Sequence, residues 1–155
     1  MALKRKNSSA KACAKVTICV LDASATFPWL FEDETSPAAD ALLDLVTEHG
    51  AVVPPLWFLE CANGLAMAER RDRIDRAGVA EAISLLRRLP LEVDDAPPSR
   101  AFDAVLDIAR VHRLTTYDAG YLDLALRRGL PLATDDAPLR TAASAAGAAL
   151  LGGEP

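Results

Sequence analysis

The sequence predicts an α/β fold, in which one parallel β-sheet is sandwiched between helices in a single domain. Three observations predict it. Short apolar runs (Val-Thr-Ile-Cys-Val-Leu at 16–21, Ala-Val-Val at 51–53) suit strands covered on both faces, as in parallel sheets. These runs alternate with stretches of helical periodicity, the pattern of βαβ units. The 155 residues fit one domain of common size, and no linker or internal repeat divides them.

Along the chain, residues 16–21 form the first strand candidate and end at Asp22. Ser36 caps and Pro37 opens a helix with Leu42, Leu43, Leu45 and Val46 on its apolar face, closed at His49-Gly50. Residues 51–53 are a second strand, stopped by Pro54-Pro55. Residues 56–71 read as a helix with Leu56, Leu59, Ala62, Leu65 and Ala66 on its inner side. Another helix covers 75–89, with Asp75 as cap and Ile83, Leu86 and Leu89 inward, and 91–93 is a weak strand. A helix is expected from Pro97-Pro98-Ser99 through Phe102, Val105, Leu106 and Ala109 to His112. Thr115 or Thr116 caps the next helix, which ends at Gly129. Residues 130–133 form a short strand, 138–146 a last helix, and 148–151 a final strand candidate.

Residues 1–15 read as a flexible basic extension, 16–151 as the domain, and 152–155 as a frayed tail. The extension holds Lys4, Arg5, Lys6, Lys11 and Lys15 and no acid. These are five of 17 basic residues, which leaves 12 against 22 acids, a balance of −10 where the whole chain has −5. That balance excludes a protein that coats nucleic acid through bulk positive charge, but not an enzyme that meets phosphate through bound cations. Cys13, Cys19 and Cys61 are odd in number and show no CxxC spacing, so neither a disulfide scaffold nor a zinc site is expected. Cys19 and Cys61 lie in apolar runs and read as buried small hydrophobes. No apolar stretch has membrane-spanning length, and the basic start is not followed by an apolar segment long enough for a secretory signal. A cytoplasmic setting is the expectation.

Four places hold acids where packing alone prefers an apolar residue. Asp22 ends the first strand, where ligands of parallel sheets collect, and a turn or cap Asp is the competing reading. Glu60 interrupts the apolar start of the 56–71 helix. Asn63 and Gly64 share its face, and a mid-helix glycine implies close approach of another element. Asp118 lies in a helix first turn, which the helix dipole also favours. Asp123, five positions on, faces another side, so only one of the two points at a shared site. Asp135 and Asp136 follow the Leu-Pro-Leu-Ala-Thr run, again past a strand end. Gathered together, such carboxylates repel one another, and a divalent cation relieves the conflict. Oxygen-only ligands favour Mg²⁺ or Mn²⁺, the apparatus of phosphodiester hydrolysis.

The ordered set Val20-Leu-Asp22-Ala-Ser24, Glu60-Cys-Ala-Asn63, Thr116-Tyr-Asp118-Ala-Gly-Tyr121, and Leu130-Pro-Leu-Ala-Thr134-Asp135-Asp136 resembles the PIN-domain nucleases, and more narrowly the VapC-type toxins of toxin–antitoxin pairs. The resemblance covers residues 16–151. It implies a Mg²⁺-dependent endoribonuclease (Mn²⁺ being the other cation) with Asp22, Glu60, Asp118 and Asp136 as catalytic and metal-binding acids. It implies supporting roles for Ser24, Asn63 and Thr134. Asp135 stands where the family is often apolar or variable, so the choice between Asp135 and Asp136 stays open here. The resemblance further implies an RNA substrate, a cognate antitoxin whose basic side chain enters the acidic crevice, and a homodimer or toxin–antitoxin hetero-oligomer.

Two readings compete: a nuclease of the same fold acting on single-stranded or flap DNA, and a catalytically silent binding domain. A haloacid-type phosphatase needs an Asp two residues after Asp22, where Ser24 stands. Arg70, Arg71, Arg73 and Arg76 are either a solvated helix end or phosphate contacts. Trp57 and Phe58 are expected in a core or an oligomer contact. Trp29 and Phe31 are open between a partner groove, base stacking and local packing. His49 and His112 receive no catalytic role.

Overall fold

The computed structural model describes residues 16–152. Its sheet has four strands: β1 (Val20–Leu21), β2 (Ala51–Val53), β3 (Leu91–Val93) and β4 (Leu132–Ala133). All neighbours are parallel, in the order β3-β2-β1-β4, with helices on both faces. Register is set by Val20 opposite Val52 and Leu132, Leu21 opposite Ala133, and Val53 opposite Val93. Both residues of β1 and of β4 and all three of β2 are buried, which explains their unbroken apolar sequence.

β1 is shorter than the apolar run at 16–21. The Ile18 N–H reaches Gly50 O at 3.1 Å, but no ladder forms before Val20. The final strand expected at 148–151 is reduced to one parallel bridge, Leu132 to Leu150, with bonds from Leu132 N–H to Ala149 O and Leu151 N–H to Leu132 O.

Six α-helices fill the crossovers: α1 (Pro37–His49), α2 (Leu56–Arg70), α3 (Arg76–Arg88), α4 (Ala104–His112), α5 (Thr116–Arg128) and α6 (Ala137–Ala145). The caps read from sequence are in place. Ser36 accepts from Ala39 N–H, Asp75 from Gly78 N–H, and Thr115, not Thr116, from Asp118 N–H. At Gly50 the chain turns into β2 with φ of 95°, and a Cβ there would meet Pro90 O at 2.8 Å.

Three expectations about helices fail. Residues 97–112 are not one helix. A 3₁₀ turn, Pro98–Phe102, precedes α4, and the break falls at Asp103, with φ −112° and ψ −102°. Phe102, read as part of that helix, closes the 3₁₀ turn instead and is 82% exposed. The reason is tertiary: Arg100 pairs with Asp123 of α5 at 2.6 Å, which pins the turn in its own orientation. In α2 the buried face is Trp57, Cys61, Leu65 and Ala68, while Leu59 and Ala62 face water. The indole decides the rotation, because Trp57 is the largest apolar group available and its N–H finds Thr26 Oγ1 at 3.2 Å. In α3, similarly, Ala82 is buried and Ile83 exposed.

The main core joins Val20, Leu21, Val52, Trp57, Leu122, Leu132 and Leu139 across the sheet. Cys19 and Cys61 belong to it, and burial pushes both thiols up to about 12. Phe31 is buried in a second cluster with Leu65 and Ala82, under Arg73, which bridges Asp33 and Glu34. Trp29 donates to Ala39 O at 2.8 Å. Phe31 therefore serves local packing, the Trp29 indole is tied to α1 and stays partly exposed, and Arg73 is held by acids of its own chain. Among the described residues no helix is long and apolar enough to cross a membrane.

Candidate active site

β1 has β2 on one side and β4 on the other, and the chain visits β2 and β3 before it returns to β4. The strand order therefore reverses beside β1, and the carboxyl ends of β1 and β4 are where ligands of such sheets collect. Asp22 and Thr134 are the first residues past those two ends.

Asp22 is 4% exposed, far less than an unpaired carboxylate tolerates. One oxygen, Oδ2, accepts from Thr134 Oγ1 at 2.6 Å and from Ser24 Oγ. Those hydroxyls accept in turn from the backbone: Asp136 N–H reaches Thr134 Oγ1 at 3.1 Å, and Asp135 N–H reaches Ser24 Oγ at 2.9 Å. Two peptide dipoles of the 134–136 turn are thus relayed through two hydroxyls onto one carboxylate oxygen. Burial nevertheless holds the Asp22 carboxyl above the usual range. The hydroxyls pull it back, and the charge of Asp118 raises it further.

Glu60 lies in the second turn of α2, half buried. Tyr121 of α5 donates its hydroxyl to Glu60 Oε2. Burial raises the Glu60 carboxyl, the Tyr121 bond opposes this, and the charges of Asp22 and Asp118 add to the rise. Asp118 sits in the first turn of α5, where its N–H donates to Thr115 Oγ1 at 3.1 Å while Thr115 Oγ1 donates to its Oδ2 at 2.6 Å. It is therefore a capping partner and a member of the acid group at once. Gly64, one turn after Glu60, is the close approach its position implied: a Cβ there would lie 2.4 Å from Phe27 Cε1. Phe27 starts the 3₁₀ turn Phe27–Trp29, which follows the turn Ala23–Ala25 directly after Asp22.

Asp22, Glu60 and Asp118 thus share one electrostatic field. The remaining candidates stand differently. Asp136 caps α6, its Oδ1 accepting from Leu139 N–H at 2.7 Å. The exposed Asp135 carboxyl is raised by its partial burial, lowered by Arg140 and raised by Glu34, so its neighbours are not the acid trio. Asn63 is exposed on the Glu60 helix. Asp123 faces away from the trio and binds Arg100 and Arg127.

The donor set is of the type that suits a hard divalent cation, since Asp22, Glu60 and Asp118 offer carboxylate oxygens, with hydroxyls of Ser24, Thr134, Thr115 and Tyr121 beside them, and no thiolate or imidazole bonds to them. Among the described residues no three His, Cys, Asp or Glu side chains are grouped closely enough to hold a metal ion. The fit rests on oxygen chemistry and shared charge.

Sequence reasoning missed two features. The Tyr121 bond to Glu60 had one signal, a tyrosine three residues after Asp118 on the same helical face. The buried network of Asp94, Arg127, Asp123 and Arg100 had none beyond the spacing of Asp123 and Arg127.

Comparison with known proteins agrees with this fold. Residues 19–144 match the PIN domain family. The chain is similar to the crystal structure of PAE2754 from Pyrobaculum aerophilum, with 26% identity and a TM-score of 0.63 over 82% of this chain and 86% of that one. No curated protein matches. PIN domains are in general metal-dependent nucleases. Because the match spans every strand and the helices bearing Glu60, Asp118 and Asp136, the chain belongs to the PIN-domain family.

Proposed function

We propose that the chain is a Mg²⁺-dependent endoribonuclease (Mn²⁺ serving as well), and that it is the toxin of a toxin–antitoxin pair working in the cytoplasm. The observation that carries the nuclease reading is Asp22, buried past the end of β1 at the switch point of the sheet and held by Ser24 and Thr134, with the charge of Asp118 bearing on it and both charges bearing on Glu60. A buried Asp22 with a raised carboxyl is a standing cost to the fold, and such costs concentrate at sites of chemistry. The toxin reading draws on the ordered VapC-type motifs and on an open groove of about 760 Å³ between α1 and α3. Trp29, Leu43 and Leu85 line this groove together with Asp40, Asp75 and Glu81, a surface that suits an apolar and basic partner segment.

Bound at the trio, the cation supplies a water of lowered pKa and charge for the leaving oxygen. Asp22 and Asp118 would hold it, with Asp136 as the fourth acid. Ser24 and Thr134 keep the Asp22 carboxylate in one orientation. Glu60 would join the ligands or take the proton of the attacking water.

The test is cleavage of matched single-stranded RNA and DNA oligonucleotides with Mg²⁺ or Mn²⁺. RNA should be cut and DNA spared, and Asp22→Asn should reduce cleavage at least about 100-fold, as expected when a group acting on transition-state charge is lost. Equal cutting of DNA moves the reading to a DNA nuclease. An Asp22→Asn chain that cuts at the normal rate removes Asp22 from the mechanism. No metal uptake at all favours the silent binding domain. Sequencing of RNA 5′ ends after brief induction, with the Asp22→Asn chain as control, identifies the target. A protein encoded beside this chain that fails to co-purify with it counts against the antitoxin pairing.

A further inference from the structure

We infer that Tyr121 is a positioning residue of the acid site: its hydroxyl holds the Glu60 carboxylate by one oxygen and so keeps it in place within charge reach of Asp22 and Asp118. The inference rests on the nuclease reading for what the site does with that carboxylate, and on geometry alone for the contact.

The ring of Tyr121 is fully buried in the main core, where a phenylalanine would pack as well. The hydroxyl therefore needs its own reason, since a buried phenol must find a partner. It has a single proton to donate, and that proton goes to Glu60 Oε2, on a different helix. Glu60 is half exposed, has three side-chain torsions, and is repelled by both Asp22 and Asp118. Without a tether, repulsion and side-chain entropy both favour its swinging out to water. The bond from Tyr121 opposes both. It occupies Oε2 and leaves Oε1 without a bond from Tyr121. Asp118 and Tyr121 lie three apart on α5, on one face, so one rigid helix supplies an acid and also the group that orients the acid of α2.

The experiment measures Mn²⁺ affinity of the full chain by calorimetry for wild type, Tyr121→Phe, Glu60→Gln and the double variant, with thermal unfolding in chelator alongside. Loss of a partner that orients a metal ligand costs about 10- to 100-fold in affinity. Tyr121→Phe should show that loss, and the double variant should bind no more weakly than Glu60→Gln alone. Cleavage by Tyr121→Phe at saturating Mn²⁺ should fall in kcat with KM nearly unchanged. A purely structural hydroxyl would lower the unfolding temperature and leave Mn²⁺ affinity unmoved, which overturns the inference. Losses that multiply in the double variant, or a wild-type chain that takes up no Mn²⁺, overturn it too. As a second measurement, Mg²⁺ should shift the Tyr121 ring resonances in wild type but not in Glu60→Gln; an equal shift in both sinks the role. If Mn²⁺ affinity behaves as expected while wild type cuts neither RNA nor DNA, the nuclease reading falls and the positioning role stands. If wild type cuts RNA while Tyr121→Phe binds Mn²⁺ normally, the reverse holds.

Discussion

At the residue scale, Asp22 shows how a site can oppose its own fold. Its carboxyl is raised by burial and by Asp118 above the value it has in the unfolded chain. Between those two values the folded state binds more protons than the unfolded one, so stability falls as pH rises through that window. Above the window the buried charge persists as a cost. Asn accepts the same Ser24 and Thr134 hydroxyls without carrying charge. Without divalent cations at pH 7, Asp22→Asn should therefore melt a few degrees above wild type, and the two should converge in acid. A lower melting temperature for the variant at pH 7 contradicts this. Gly64 makes a second case, because its missing Cβ is what lets Phe27 pack against α2. Gly64→Ala gains about 1 kcal/mol of helix propensity. It also places an atom 2.4 Å from the Phe27 ring, and overpacking of that kind costs about 1–3 kcal/mol. Urea unfolding should show net destabilisation of about 1 kcal/mol; a stabilised variant means Phe27 yields freely.

At the scale of elements, α5 is the most informative. A threonine cap at 115 or 116, Gly129 as stop, and the separate facing of Asp118 and Asp123 were all legible, because they follow from helical period and capping chemistry. What the second face does was not legible. Asp123 and Arg127 join Asp94, just past β3, and Arg100, in the turn before α4, through pairs at 2.6, 2.7 and 3.4 Å. That network clamps α5, and hence Asp118, to the β3 edge. It also explains the misread helix at 97–112: local periodicity is continuous there, and the Arg100 pairing overrides it. The inner face of α2 was misassigned for a related reason. A period names two adjacent apolar stripes, and the Trp57–Thr26 contact, invisible in sequence, chooses between them. Arg127→Ala should strip two buried carboxylates of a partner. Breaking a buried pair costs about 3–5 kcal/mol, and the partial exposure of Arg127 reduces this to about 2 kcal/mol in urea unfolding. A cost under about 0.5 kcal/mol would show that the network contributes nothing to stability.

For the molecule as a whole, the sheet order decides what the acids can do together. Asp22, Glu60 and Asp118 are far apart in sequence and each has a local reason to exist, as turn residue, helix-start residue or cap. Sequence named them individually and by family pattern, but their sharing of one field is a property of β1 lying between β2 and β4. Asp136 shows the limit of that legibility, because its cap bond to Leu139 accounts for it locally whatever else it does. The collective property has its own test. A cation bound only to the folded chain stabilises it by mass action, about 2.7 kcal/mol at 100 times its dissociation constant. Mn²⁺ should therefore raise the wild-type melting temperature at pH 7 and leave Asp22→Asn nearly unmoved. Only deprotonated carboxylates serve as ligands. The raised Asp22 and Glu60 carboxyls take up protons at a higher pH than ordinary acids do. The Mn²⁺-induced shift should accordingly fade as pH falls, starting above the ordinary carboxylate range, while the melting temperature of the metal-free chain holds or rises there. A shift that persists unchanged into that acid range, or one equally large in Asp22→Asn, means the cation binds elsewhere and the three acids are not its ligands.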